Sequence, residues 1–98
     1  MLIIPKEETT MHIPKGFHIR QILDETIAVP SGEVSKRFSG IVSLNEVGTF
    51  LFEQLQTEQT RESLVASLLD SYEVDKETAQ EDVDAFLDRL RSAGLLIE

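Results

Sequence analysis

The spacing of apolar residues changes once along this chain, inside the stretch GIVSLNEVGTFLFEQL at Gly40–Leu55. Ile41, Val42 and Leu44 predict a short strand, and the apolar residues after Asn45 recur at helical spacing. A strand that leads directly into a helix leaves backbone donors and acceptors that need partners. The partner is either another part of this chain or a different molecule, and the spacing alone leaves both open.

Two more strands are predicted before this stretch. The first, Phe17–Leu23, has its last residue on the same face as Phe17. The second, TIAVP, has Ile27 and Val29 facing the same way and ends at Pro30. DET predicts a tight turn between them, and the polar residues 31–39 lead to the third strand. Three strands with short links predict a small antiparallel sheet.

Three helices are predicted after the strands. Their expected N-caps are Asn45, Thr60 and Asp75, Gly94 is expected to end the last helix, and Gly48 predicts close packing in the first. The expected apolar faces are Val47, Phe50, Leu51 and Leu55; Leu64, Val65, Leu68, Leu69 and Tyr72; and Ala79, Val83, Phe86, Leu87 and Leu90. Segregated strands and helices predict an α+β domain, with a three-stranded antiparallel sheet followed by three helices. The same order is typical of a winged helix-turn-helix.

The length and composition predict one soluble domain. A chain of 98 residues is too short for two ordinary cores, so we expect a domain at residues 15–98 preceded by an arm at residues 1–14. The absence of cysteine excludes disulfides, thiolate zinc sites and cysteine nucleophiles. The apolar start, MLII, is too short for a signal peptide or a membrane span. The expected location is therefore the cytoplasm, with no membrane partner.

The negative charge is concentrated in the helical half. Residues 45–98 hold thirteen acidic and four basic side chains, which account for the whole net charge of −9. From Glu73 to Asp88 there are seven acidic residues and one basic residue, Lys76. A winged helix that binds DNA needs lysine and arginine on its recognition helix. The charge therefore argues against nucleic acid as a partner, although DNA binding stays an alternative on topology.

No catalytic or metal-binding pattern is visible in the sequence. His12 and His18 have no cysteine or acidic triad beside them, and the glycines lack the lysine of a phosphate-binding loop. Glu81, Asp84 and Asp88 fall on the outward side of the last helix, which is typical of a solvated acidic face. We expect a protein without cofactor, metal or enzymatic activity of its own.

Two stretches carry a family resemblance. They are LNEVGTFLFEQL and TRESLVASLLDSYEVDKETAQEDVDAFLDRLRSAGLL, and both resemble the PqqD-like family. The strands fit through GFHIRQILDETIAVP and GIVSLN, so the resemblance covers about residues 15–97. The connection at residues 31–39 is longer and more basic than is usual in the family, and LDET lacks the glycine of many relatives. These departures leave open whether the pathway is that of pyrroloquinoline quinone or of another peptide product.

The resemblance implies a peptide-recognition module. Such proteins capture the leader segment of a ribosomally made precursor peptide as an added strand and present it to a modifying enzyme, often a radical S-adenosylmethionine (SAM) protein. The leader is expected beside the third strand, in a groove against the last helix, where helical spacing puts three side chains on one flank. The candidate peptide-binding residues are Gly40, Ile41, Val42, Ser43, Leu44, Asp82, Phe86 and Arg89.

Two questions about these residues stay open in the sequence. Ile41 and Val42 point to opposite faces, and the spacing does not decide which of them points to the core. Phe86 is either a groove contact or a core residue. A self-associating scaffold, in which the third strand pairs with its own copy, is a further alternative because an edge strand without a guest tends to pair with another.

Overall fold

Three strands precede three helices in the computed structural model, which describes residues 9–38 and 40–98. The strands are β1 (Phe17–Ile22), β2 (Glu25–Pro30) and β3 (Val42–Leu44). The helices are α1 (Glu46–Gln54), α2 (Arg61–Ser71) and α3 (Lys76–Ser92), and a short 3-10 helix, Gly32–Lys36, lies in the connection before β3. The predicted α+β fold is confirmed, whereas the likeness to a winged helix stays a prediction.

The sheet is antiparallel in the order β1-β2-β3. Ile22 pairs with Glu25, so the turn consists of Leu23 and Asp24 and begins before DET. Leu23 has φ of 57° and is 94% exposed, so its predicted place in the first strand, on the same face as Phe17, is wrong. A two-residue turn that matches the twist of its strands needs a left-handed residue, and Leu23 takes this conformation.

The position of the turn decides which face of β2 meets the core. Ile19 pairs with Ala28, and paired residues share a face of the sheet. Ile27 and Val29 do face the same way, but they lie on the face opposite to Ile19. Ala28 is fully buried and belongs to the core cluster, whereas Ile27 is buried outside that cluster. A shift of one residue in register moves every side chain of a strand to the other face, which is why the turn matters.

The predicted helix ends are confirmed. Asn45, Thr60 and Asp75 are the N-caps, and each side chain accepts the backbone N–H three residues further on. These bonds satisfy donors that have no partner inside the helix. Gly94, with φ of 75°, follows α3 in the left-handed conformation that favours glycine.

The core lies between the sheet and the three helices. All five residues predicted for the apolar face of the last helix are buried, and so are Leu51, Leu55, Leu64, Val65 and Leu68. Phe52 is fully buried although its position lies outside the predicted face of α1. Its ring packs edge-on against Phe17, with the centroids 5.6 Å apart, and this contact between strand and helix explains its burial.

Residues before β1 contact the body of the domain. Met11 and Ile13 are buried, and the N–H of Met11 donates to the carbonyl of Gln59 at 2.8 Å. His12 and Ile97 exchange two backbone hydrogen bonds of 2.9 and 2.8 Å, which hold the C-terminal tail against the body. The predicted arm at residues 1–14 lies partly outside the described residues, and its boundary stays a prediction.

Within the described ranges, no helix has both the length and the apolar character required to cross a membrane.

Candidate functional site

The candidate site begins at the outer edge of β3. β2 occupies one edge, and among the described residues no strand pairs with the other. β3 is shorter than the predicted 40–44, because its pairing with β2 starts at Val42 and Ala28. β2 ends at Pro30, which has no N–H to donate and therefore cannot extend the ladder. Within residues 9–38 and 40–98, the sheet thus ends in a short strand with one free edge.

The packing of β3 settles which of its side chains face the core. Leu44 is buried and Val42 is half-buried against the core. Ile41 is 61% exposed, so it points away from the core. Ser43 is exposed and pairs with Ile27 across the sheet. The question that the sequence left open about Ile41 and Val42 is therefore decided in favour of Val42 as the inward residue.

A hydrogen bond joins the free edge of β3 to α3. The guanidinium of Arg89 donates to the backbone carbonyl of Ser43. The N–H and C=O of one strand residue point to the same edge. The contact therefore indicates that both backbone groups of Ser43 face away from β2, and that those of Val42 face towards β2.

α3 supplies the wall opposite this edge. Asp82, Phe86 and Arg89 line a cavity of about 250 Å³ together with Asn45 and Gly48 at the start of α1. Phe86 is only 7% exposed and belongs to the core cluster, so its ring forms the floor of the cavity. The structure thus brings the three predicted residues of α3 to one cavity and shows that Phe86 is a core residue as well.

A second cavity lies at the other end of β3. It has a volume of about 260 Å³ and is lined by Ile41, Phe38, Ala93 and Leu95, among others. Ser43 lies between the two cavities along the chain. Together the cavities and the free edge define a groove between β3 and α3, which we call the β3–α3 groove.

Several residues of this groove were not predicted from the sequence. Asn45 and Gly48 were assigned only to the helix start, and Phe38 was placed in a polar connection. A Cβ atom on Gly48 would lie 3.3 Å from Cε1 of Phe86, so this glycine allows the close approach that its sequence position predicted. Ala93 and Leu95 carry no pattern of their own, because only the crossing of α3 beside β3 brings them to the groove.

The cations of α3 and its neighbours have different partners. Nε of Arg61 lies 2.6 Å from Oδ1 of Asp84, and this hydrogen bond lowers the pKa of the Asp84 carboxyl group. Nη1 of Arg91 lies 2.8 Å from a carboxylate oxygen of Asp88. Arg89 makes no ion pair with any carboxylate of the described residues, and it donates to a backbone carbonyl instead. The guanidinium in the groove therefore carries a charge without a carboxylate counterpart in the described part of the chain.

The described residues hold no group of three histidine, aspartate or glutamate side chains placed to bind a metal ion.

The site thus belongs to an α+β domain in which the outer edge of the last strand lies beside a helical wall. The chain belongs to the PqqD family, described as coenzyme PQQ synthesis protein D, whose sequence profile matches residues 19–96. No curated protein sequence matches the chain significantly.

Among solved structures, the fold is similar to a chain described as "TbiB1 in Complex with the TbiA(beta) Leader Peptide". The TM-score is 0.64 and the sequence identity 24%, and the match covers 87% of this chain and 93% of that chain. This likeness shows that the two chains share a fold over nearly their whole lengths.

Proposed function

We propose that this protein is a non-catalytic binding partner that captures the leader segment of a ribosomally made precursor peptide. The observation that carries the proposal is the outer edge of β3, which pairs with no strand among the described residues and which the Arg89 side chain of α3 contacts. Membership of the PqqD family supports it. The structurally similar TbiB1 chain is described in complex with a leader peptide, which adds support for the same kind of guest.

The guest binds as an added strand. An edge strand offers N–H and C=O groups that an extended peptide takes up for affinity, while side-chain pockets select the sequence. The backbone of Ser43 supplies one donor and one acceptor at this edge. Residues 40–44 form the pairing side, and Asp82, Phe86 and Arg89 form the wall that contacts the guest's side chains.

The captured leader is presented to a modifying enzyme, for which we propose a radical SAM protein. The exposed residues Glu81 and Asp88 contribute to an acidic outer face of α3. We expect a basic patch on the enzyme, or basic residues in the leader outside the groove, to complement this face. The same acidic face would repel the phosphates of DNA, so we do not propose nucleic acid as the partner.

The first experiment is an NMR titration of the ¹⁵N-labelled protein. The probes are synthetic leader peptides encoded by the short reading frames next to its gene. We expect shifts at residues 40–44 and along Asp82, Phe86 and Arg89, with a Kd of about 10 μM or tighter, which corresponds to roughly −7 kcal/mol. If no peptide moves these resonances, leader capture in this groove is wrong. Concentration-dependent broadening at β3 alone would point instead to a dimer paired through this strand.

Two proline substitutions in β3 separate binding from folding. Ser43→Pro removes an N–H that faces the guest, and proline is tolerated where an edge strand directs its N–H outward. We expect Ser43→Pro to weaken leader binding at least tenfold with little change in melting temperature. Val42→Pro removes an N–H that faces β2, so we expect it to lower stability. The reverse pattern would contradict the assignment of the free edge.

A further inference from the structure

Within the described ranges, the one side-chain hydrogen bond to the free edge of β3 comes from Arg89. Arg89 lies on α3, 46 residues from Ser43 in sequence, and its Nη2 donates to the Ser43 carbonyl. This carbonyl lies at the centre of the β3–α3 groove, between the two cavities. This carbonyl therefore already accepts a hydrogen bond before any guest arrives.

A guest strand needs the same acceptor. Strand addition requires an N–H of the incoming peptide to bond to the carbonyl of Ser43. The Arg89 guanidinium competes with that N–H, and hydrogen bonds from a charged donor are stronger than those from a neutral one. A guest without a hydrogen-bond acceptor for Arg89 would have to displace this bond or share the carbonyl with it. The contact therefore acts as a latch across the binding edge.

The charge of Arg89 indicates what releases the latch. Arg61 on α2 and Arg91 on α3 pair with carboxylates, whereas Arg89 has none among the described residues. A guanidinium binds a carboxylate through two parallel hydrogen bonds, which is its preferred geometry. A carboxylate in the guest is thus a better partner for Arg89 than the single backbone oxygen that it holds now.

We infer that this protein selects leader peptides with an aspartate or glutamate opposite Ser43. The carboxylate of the guest takes the Arg89 guanidinium, and the released Ser43 carbonyl accepts the guest's N–H. Side-chain recognition and backbone pairing become one coupled exchange, and Arg89 is a specificity-determining residue. This inference rests on the proposed capture of a leader and deepens it by naming the chemistry of the guest.

The coupling also explains how a short edge discriminates between peptides. Many extended peptides offer backbone groups to a free strand edge. A lysine opposite Ser43 would leave the latch closed and place two cations side by side. Selection therefore comes partly from a repulsive element and not only from attractive contacts.

The test is a double-mutant cycle on the full chain, with the synthetic leader peptides from the neighbouring reading frames as probes. In each peptide that binds, every aspartate and glutamate is replaced in turn by asparagine or glutamine. The protein variants are Arg89→Met, which keeps most of the side-chain length, and Arg91→Met as the matched control. Arg91 lies two residues further along α3, on another side of the helix and outside the groove, so its replacement removes the same charge elsewhere. Affinities are measured by isothermal titration calorimetry, and melting temperatures verify folding.

We expect one acidic position at which the amide weakens binding by wild type about tenfold or more. The same replacement should have little effect on binding by Arg89→Met, whereas Arg91→Met should retain the full discrimination. The charge-reversed pair, Arg89→Glu with lysine in the peptide, should recover at least tenfold over either mismatched combination. The NMR signals of the Arg89 side chain and of the Ser43 carbonyl should move together on titration.

Three results would overturn the inference while leaving leader capture in place. The first is a leader that binds although the segment paired with β3 has no acidic residue. The second is equal affinity for the acid and amide peptides. The third is an Arg89→Met variant that binds every peptide more tightly than wild type. The last would mean that Arg89 only obstructs the edge. A panel in which no peptide binds would overturn the proposed function and this inference with it.

Discussion

Replacing Phe86 by alanine should lower both stability and leader affinity, because its ring belongs to the core and also forms the floor of the groove. The side chain is 7% exposed, and its Cε1 lies close to Gly48. Truncation of a buried phenylalanine costs about 3–5 kcal/mol. For a domain of this size each kcal/mol corresponds to roughly 4–8 °C, so the melting temperature should fall by at least about 12 °C.

The measurement combines urea unfolding at 25 °C with calorimetric titration of a binding leader peptide. Phe50→Ala is the control, because Phe50 is only half-buried and packs edge-on against Tyr72, with the ring centroids 5.5 Å apart, away from α3. It should lower stability with little effect on affinity. Phe86→Leu is measured as well, because it keeps more of the core volume and stays folded if the alanine variant does not. A loss below about 1 kcal/mol for Phe86→Ala would refute the placement of the ring in the core.

Three further predictions concern stability. Gly48→Val should cost about 1–3 kcal/mol in urea unfolding, because its Cβ would stand 3.3 Å from the Phe86 ring; an unchanged midpoint would contradict this packing. Leu23→Gly should stabilise by about 0.5–1 kcal/mol, since the left-handed turn favours glycine and the exposed side chain loses no packing; destabilisation would argue against this turn. The Arg61 hydrogen bond lowers the pKa of Asp84, so its contribution is present above about pH 4 and is lost as pH falls through the folded-state pKa. In Asp84→Asn, the free energy of unfolding should therefore fall less than in wild type between pH 5 and about 3, as followed by urea unfolding. An equal fall in both proteins would contradict the ion pair between Arg61 and Asp84.

The helical half could be predicted closely because its determinants are local. Each N-cap is a side chain that bonds to a backbone group three residues away, and the inward face of α3 follows from helical spacing alone. The sheet was predicted less well. The turn at Leu23 and Asp24 is one residue earlier than DET, and this difference moved Ile27 and Val29 to the other face. A leucine in a left-handed turn has no composition signature that would have indicated it.

By itself, the sequence determined the α+β order, the three caps, the buried face of α3, the acidic character of the helical half and the family resemblance. These depend on residue type and spacing within one element. Only the tertiary structure decided which side of β3 is free, that Phe86 serves both core and groove, and that Arg89 holds the carbonyl of Ser43. These features arise where α3 passes beside β3, and contacts between residues 46 apart depend on how whole elements pack rather than on any local pattern.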